Sequence, residues 1–172
     1  ILRRVLPHVD FFMPSLEELL FMLGMKEKTR ADGKLLRVCA EKILAYGAAA
    51  ALIKLGDQGL YLRTSADPAR LSSAGRGFSA SDLADWSGRE LLAPCFRVVV
   101  AGTTGAGDVT IAGFLAGMMQ CLPPEKALIG AVGAGACCVE SVDAVSAIPA
   151  YADLWKRIDA GWARREVVLS LE

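Results

Sequence analysis

The stretch Gly102-Thr103-Thr104-Gly105-Ala106-Gly107-Asp108 decides how the rest of the chain is read. A strongly apolar run, residues 96–101, precedes it and reads as a buried strand. A helical pattern follows it to about residue 121. Strand, glycine-rich turn and helix N-terminus together suit an anion. Glycine lets backbone N–H groups come close to a ligand, and the helix dipole favours negative charge there. Two better-known loops are excluded. Gly102 and Gly107 have the spacing of a Walker A loop, but Asp108 stands where that loop needs its lysine. The order Gly102, Gly105, Gly107 does not fit the G-x-G-x-x-G dinucleotide fingerprint. An acid beside a phosphate cradle is repelled by its ligand, so Asp108 calls for a reason. Either it accepts the proton of an attacking hydroxyl during phosphoryl transfer, or it caps the first turn of the helix. Spacing alone leaves both open.

Toward the N-terminus, residues 9–13 read as a short buried strand closed by Pro14. Ser15 and Glu18 satisfy the capping-box pattern and open a helix that stops at Gly24. Residues 32–46 place Leu35, Val38, Cys39, Ile43 and Leu44 at helical spacing, with Gly47 as the stop. Residues 48–55 form a second buried strand. Gly56-Asp57-Gln58-Gly59 is a tight turn, and residues 60–63 return as a strand. Residues 64–90 are polar and read as a surface excursion, with a helical turn at 81–86. Toward the C-terminus, Pro123-Pro124 breaks the chain and starts a helix over 125–139. A last helix covers 149–161, and 167–171 is an edge-strand candidate. Strands alternating with helices predict one α/β domain over 1–172, a mostly parallel sheet flanked by helices.

Composition limits the function classes. The 172 residues are 53% hydrophobic and 22% charged, so a packed core forms without metal or disulfide staples. Nineteen basic residues balance nineteen acidic ones, which argues against a nucleic-acid or anionic-membrane surface. No uncharged stretch supplies the ~20 apolar residues of a membrane span. The five cysteines have no CxxC spacing and sit in apolar contexts, as expected of reduced thiols in a cytoplasmic protein. His8 is the only histidine and has no nucleophile motif near it. Asp143 and Asp153 fit capping roles better than coordination, and the three tryptophans read as packing residues.

The glycine stretch followed by V-T-I-A-G-F-L resembles the C-terminal signature of the ribokinase/PfkB-type carbohydrate kinases, usually D-T-T-G-A-G-D with A-G-F-L close behind. Two further stretches agree in order. Pro14-Ser15-Leu16-Glu17-Glu18 resembles the family's P-N-x-x-E segment, and Lys54 through Leu60 resembles its [T/K]-L-G-x-x-G strand and turn. The resemblance implies a ribokinase-like fold and ATP-dependent, magnesium-dependent transfer to a hydroxyl of a small sugar, sugar phosphate or nucleoside. Residue by residue, it makes Asp108 the general base and Gly105, Ala106 and Gly107 the backbone anion hole. Thr104 and Ser15 would lie beside the nucleotide phosphates. Glu18 would help organise magnesium through water. Lys54, Leu55, Gly56, Asp57, Gln58 and Gly59 would border the nucleotide, and residues 132–138 would wall the adenine pocket.

There are departures. Gly102 replaces the family's leading Asp, which commonly helps hold a monovalent cation, and this puts potassium activation in doubt. Ser15 replaces the Asn of P-N-x-x-E, and Thr110 stands where Phe is common. Nothing in the chain corresponds to the family's first strands, glycine pair, sugar-contacting residues and small lid. Ile1 would begin midway through the family domain, so the expectation is a piece of a longer kinase. The acceptor is then unreadable, and homo-oligomerisation of the longer protein is allowed. The competing expectation is a non-catalytic, nucleotide-binding module of the same fold.

Overall fold

The computed structural model describes residues 1–25, 32–74, 82–169 and 171. They form two compact units. One comprises residues 1–56, 60–92 and the segment from 167 onward; the other comprises 57–59 and 93–166.

The first unit is an α/β layer. Helix α1 (Leu2–Val5) and a 3₁₀ turn (Leu6–His8) lead into β1 (Phe11–Phe12). Helix α2 (Leu16–Met22) starts at the predicted capping box: Ser15 Oγ accepts from the Glu18 N–H at 3.2 Å, and Glu18 Oε2 accepts from the Ser15 N–H at 2.6 Å. Helix α3 (Gly33–Ala45) is capped by Asp32, whose Oδ1 accepts from the Leu35 N–H at 2.7 Å. It buries Leu35, Leu36, Cys39, Ala40 and Ile43 against the sheet. Strand β2 (Ala50–Lys54) is apolar because nearly all of it is buried. A 3₁₀ turn (Gly56–Gln58) leads to β3 (Leu60–Thr64), and β4 (Glu90–Ala93) completes the order β1-β2-β3-β4. The sheet is mixed. β1 runs parallel to β2 with Phe11 opposite Ala50, and β2 runs antiparallel to β3 with Leu52 opposite Leu62.

The 64–90 tract departs from the expected surface excursion. It carries α4 (Pro68–Ser72), α5 (Asp82–Trp86) and the start of β4. Leu71 and Trp86 are fully buried. The Thr64 hydroxyl donates to the Trp86 carbonyl and accepts from the Arg89 N–H. Arg70 clamps α4 to the strand layer by donating to the Val9 and Gly47 carbonyls and to Asp10. The tract is polar, yet a few long-range bonds hold its described residues to the fold. Ser81, the first residue of the expected helical turn, lies outside the described residues. The 167–171 candidate makes no strand among the described residues. Leu169 and Leu171 instead pack on the core, and the Leu171 carbonyl accepts from Arg37.

The second unit is helical. Helices α6 (Ala106–Met119), α7 (Pro124–Cys138) and α8 (Tyr151–Asp159) pack together. α6 and α7 approach closely through small residues: a Cβ on Gly113 would sit 2.7 Å from the Ala134 Cβ and 3.0 Å from the Gly130 carbonyl oxygen. The expected strand at 96–101 is absent. Phe96 makes one antiparallel bridge to Arg164, and Val99 and Val100 are 85% and 53% exposed. The N–H groups of Arg97 and Ala101 turn to the carbonyls of Ala163 and Val139. An apolar run becomes a strand only where a partner pairs along its length, and among the described residues the pairing stops at the Phe96–Arg164 bridge.

Candidate active site

The glycine turn is built as its composition requires. Gly105 adopts a left-handed conformation (φ +76°), and a Cβ there would lie 2.5 Å from the Ala144 Cβ. A side chain is therefore excluded by both backbone and space. Gly105 is the N-cap of α6. The first α-helical bond in this turn runs from the Val109 N–H to the Gly105 carbonyl. The Ala106 N–H donates to the Thr103 carbonyl at 3.3 Å. Among the described residues, the N–H groups of Gly107 and Asp108 meet no protein acceptor. Asp108 stands exposed in the first turn of α6, and no hydrogen bond holds its carboxylate among the described residues. It does not cap the helix by a side-chain bond.

The turn rests on residues 139–146, a segment that sequence reasoning did not connect with it. The Gly102 N–H donates to the Val139 carbonyl at 3.3 Å, and a Cβ at 102 would meet the Ser141 carbonyl oxygen at 2.9 Å. An Asp at 102 would need that segment to move. The Cys138 thiol lies 3.5 Å from the Thr104 carbonyl oxygen and 3.4 Å from that of Ala144, joining turn and floor. Asp143 staples the floor. It accepts from the Ser146 hydroxyl, from the Ser146 and Val145 N–H groups at 2.7 and 2.8 Å, and from the Ser141 hydroxyl. These donors, the Ser146 hydroxyl foremost, hold its carboxyl far below the usual carboxylate range. Capping was the role expected of Asp143, but it caps a turn, not a helix. Asp153 sits in the first turn of α8 and pairs with Lys156. Residues 132–138 are buried within this helical unit. Gly135 faces Thr110, and Arg157 approaches the Cys137 sulfur.

In the first unit, the structure brings Ser15, Glu18 and Lys54 together. Ser15 bridges Lys54 in parallel, and the Lys54 N–H donates to the Pro14 carbonyl at 2.9 Å. Backbone and side-chain bonding to Ser15, with Lys54 nearby, lowers the Glu18 carboxyl below its ordinary value. Glu18 is exposed, so its outer oxygen is open to water. Among the described residues no group of three His, Cys, Asp or Glu could hold a metal ion by itself. Magnesium binds through one or two carboxylates plus phosphate and water, so a single acid suits it.

The 54–59 loop divides between the units. Lys54, Leu55 and Gly56 belong to the first; Asp57, Gln58 and Gly59 group with 93–166. A Cβ on Gly59 (φ +112°) would run into the Ala93 carbonyl oxygen. Asp57 Oδ2 accepts from Arg165 Nη2 at 2.9 Å, and Asp57 Oδ1 accepts from the Gln58 amide at 3.3 Å. Arg165 was not singled out from sequence, because its link to Asp57 spans 108 residues.

No helix among the described residues is long and apolar enough to cross a membrane. None of the five cysteines forms a disulfide among the described residues; Cys121 is exposed and Cys39, Cys137 and Cys138 are buried.

No curated protein matches the chain by sequence. The fold is similar to that of a ribokinase from Thermotoga maritima, at TM-score 0.67 and 23% identity, over 91% of this chain and 44% of that one. It is similar to a ribokinase from Arabidopsis thaliana solved with ribose and ATP, at TM-score 0.68 and 22% identity, over 90% and 42%. It is also similar to an aminoimidazole riboside kinase from Salmonella enterica solved with aminoimidazole riboside and an ATP analogue, at 0.63 and 22%, over 90% and 44%. The chain thus spans less than half the length of these structures. The pfkB family carbohydrate kinase model matches residues 2–150. Motif order, fold and that match agree: the chain belongs to the pfkB family of carbohydrate kinases.

Proposed function

We propose that the chain carries the nucleotide-side machinery of an ATP-dependent kinase that phosphorylates a hydroxyl of a small sugar, sugar phosphate or nucleoside. One observation carries this reading. The turn that opens α6 presents N–H groups at Gly107 and Asp108 that meet no acceptor among the described residues, beside the exposed Asp108 carboxylate, which accepts no hydrogen bond among them. Unpaired N–H groups at a helix start are donors for phosphate oxygens. They would stabilise charge on the transferring group, with Gly105 and Ala106 fixing the turn. Asp108, whose carboxylate accepts no hydrogen bond among the described residues, would accept the proton of the acceptor hydroxyl. Glu18 would meet magnesium through water, held by its bond from the Ser15 N–H. Magnesium, when bound, neutralises phosphate charge. Thr104, Ser15 and the 54–59 loop would border the nucleotide.

The test is magnesium-dependent transfer from ATP to a panel of sugars and nucleosides, assayed with this chain and any longer product of its gene. Asp108→Asn is expected to lower kcat by about 10²-fold or more while nucleotide still binds. Wild-type kcat in Asp108→Asn would remove the base assignment. Nucleotide binding with no transfer to any acceptor would favour the non-catalytic module.

A further inference from the structure

Asp57 is an anomaly under the proposed function. It lies on the loop assigned to the nucleotide, where a carboxylate faces a polyanionic ligand and repels it. Its side chain is 60% exposed, so burial does not silence it. The structure supplies a counter-charge from far along the chain. Arg165 Nη2 donates to Asp57 Oδ2 at 2.9 Å. Arg165 is itself held by backbone, its N–H donating to the Cys95 carbonyl at 2.8 Å. Next to it, Arg164 donates to the Pro94 carbonyl at 2.8 Å and lies over the Phe96 ring at 3.6 Å. Phe96 stacks on Trp162 at 4.3 Å, and the Trp162 Nε1–H donates to the Arg97 carbonyl. The 162–165 segment is thus clipped to 94–97 from both sides. Gly59 presses on Ala93 at the head of that same segment.

We infer that Arg165 is a positioning residue for the 56–59 loop, neutralising Asp57 so that the loop accepts nucleotide phosphate. The inference rests on the proposed function, because it needs nucleotide at this loop. As an exposed ion pair the contact adds little to folding stability. Its effect falls on the charge presented to the ligand.

The test is titration calorimetry of the chain with Mg-ATP and with uncharged adenosine, for wild type, Arg165→Ala, Asp57→Asn and the double variant. Gly107→Val serves as control, and melting curves check that each variant folds. Arg165→Ala is expected to weaken Mg-ATP on the order of tenfold, less at high salt, and to leave adenosine unchanged. Asp57→Asn in the Arg165→Ala background is expected to restore Mg-ATP affinity to within about twofold of wild type. Equal weakening of ATP and adenosine, or no rescue by Asp57→Asn, would make Arg165 merely structural and overturn the inference. Unchanged Mg-ATP affinity in Arg165→Ala, with binding still lost in Gly107→Val, would overturn it while leaving the proposed function standing. No Mg-ATP binding by folded wild type would overturn both.

Discussion

At the residue scale, the chain has one non-glycine residue with positive φ among those described, Cys121 at +54°. It follows the end of α6, where the Leu122 N–H donates to the Gly117 carbonyl at 3.1 Å and the Cys121 N–H to the Met118 carbonyl at 2.9 Å. These are the two bonds of a Schellman ending, whose left-handed position favours glycine. Cys121→Gly is expected to stabilise the protein by about 1 kcal/mol in denaturant titration. A destabilised variant would mean that the exposed thiol makes a contact in solution. Single residues in the glycine turn were legible because a turn and a helix start impose local rules. Gly105, Gly107 and Asp108 follow from them. Arg165 escaped because its partner Asp57 lies 108 residues away, and spacing along the chain carries no trace of that.

At the element scale, the helix starts were the easiest to read. The Ser15–Glu18 box is local, and the structure forms both of its bonds. Ser15→Ala is expected to cost about 1 kcal/mol, read by chemical unfolding. An unchanged midpoint would mean that α2 is held by Leu19 and Leu20 alone. Strands were harder to read. Residues 96–101 have the composition of a strand but make only one bridge, whereas β4 opens on a charged residue, Glu90, at the end of the polar tract. The carboxylate accepts from Arg37 and from the Tyr61 hydroxyl at 2.9 Å, and it pairs with Arg63 at 3.0 Å. Burial opposes its ionisation, but those partners prevail and hold it below its ordinary value. Burial, and then the bond to Glu90, push the Tyr61 hydroxyl up. A polar residue can thus mark a partly buried strand when its partners come from elsewhere.

At the scale of the whole molecule, four carboxyls among the described residues are lowered on folding: Glu18, Glu90, Glu140 and Asp143. Glu140 owes this first to the Arg157 guanidinium, which also lies over the Trp162 ring at 3.6 Å. A group that binds protons less readily when folded stabilises the fold above its unfolded pKa. That contribution is lost as pH falls through the folded value. The Tm is therefore expected to hold down to about pH 5 and to fall steadily below it. A Tm independent of pH between about 3 and 6 would contradict these four assignments. The central claim concerns the start of α6, and amide NMR of the chain titrated with Mg-ATP tests it most directly. The Gly107 and Asp108 amides, which have no protein acceptor among the described residues, are expected to shift most and to move downfield as phosphate oxygens accept from them. Mg-ATP binding that leaves both amides unmoved would contradict the account.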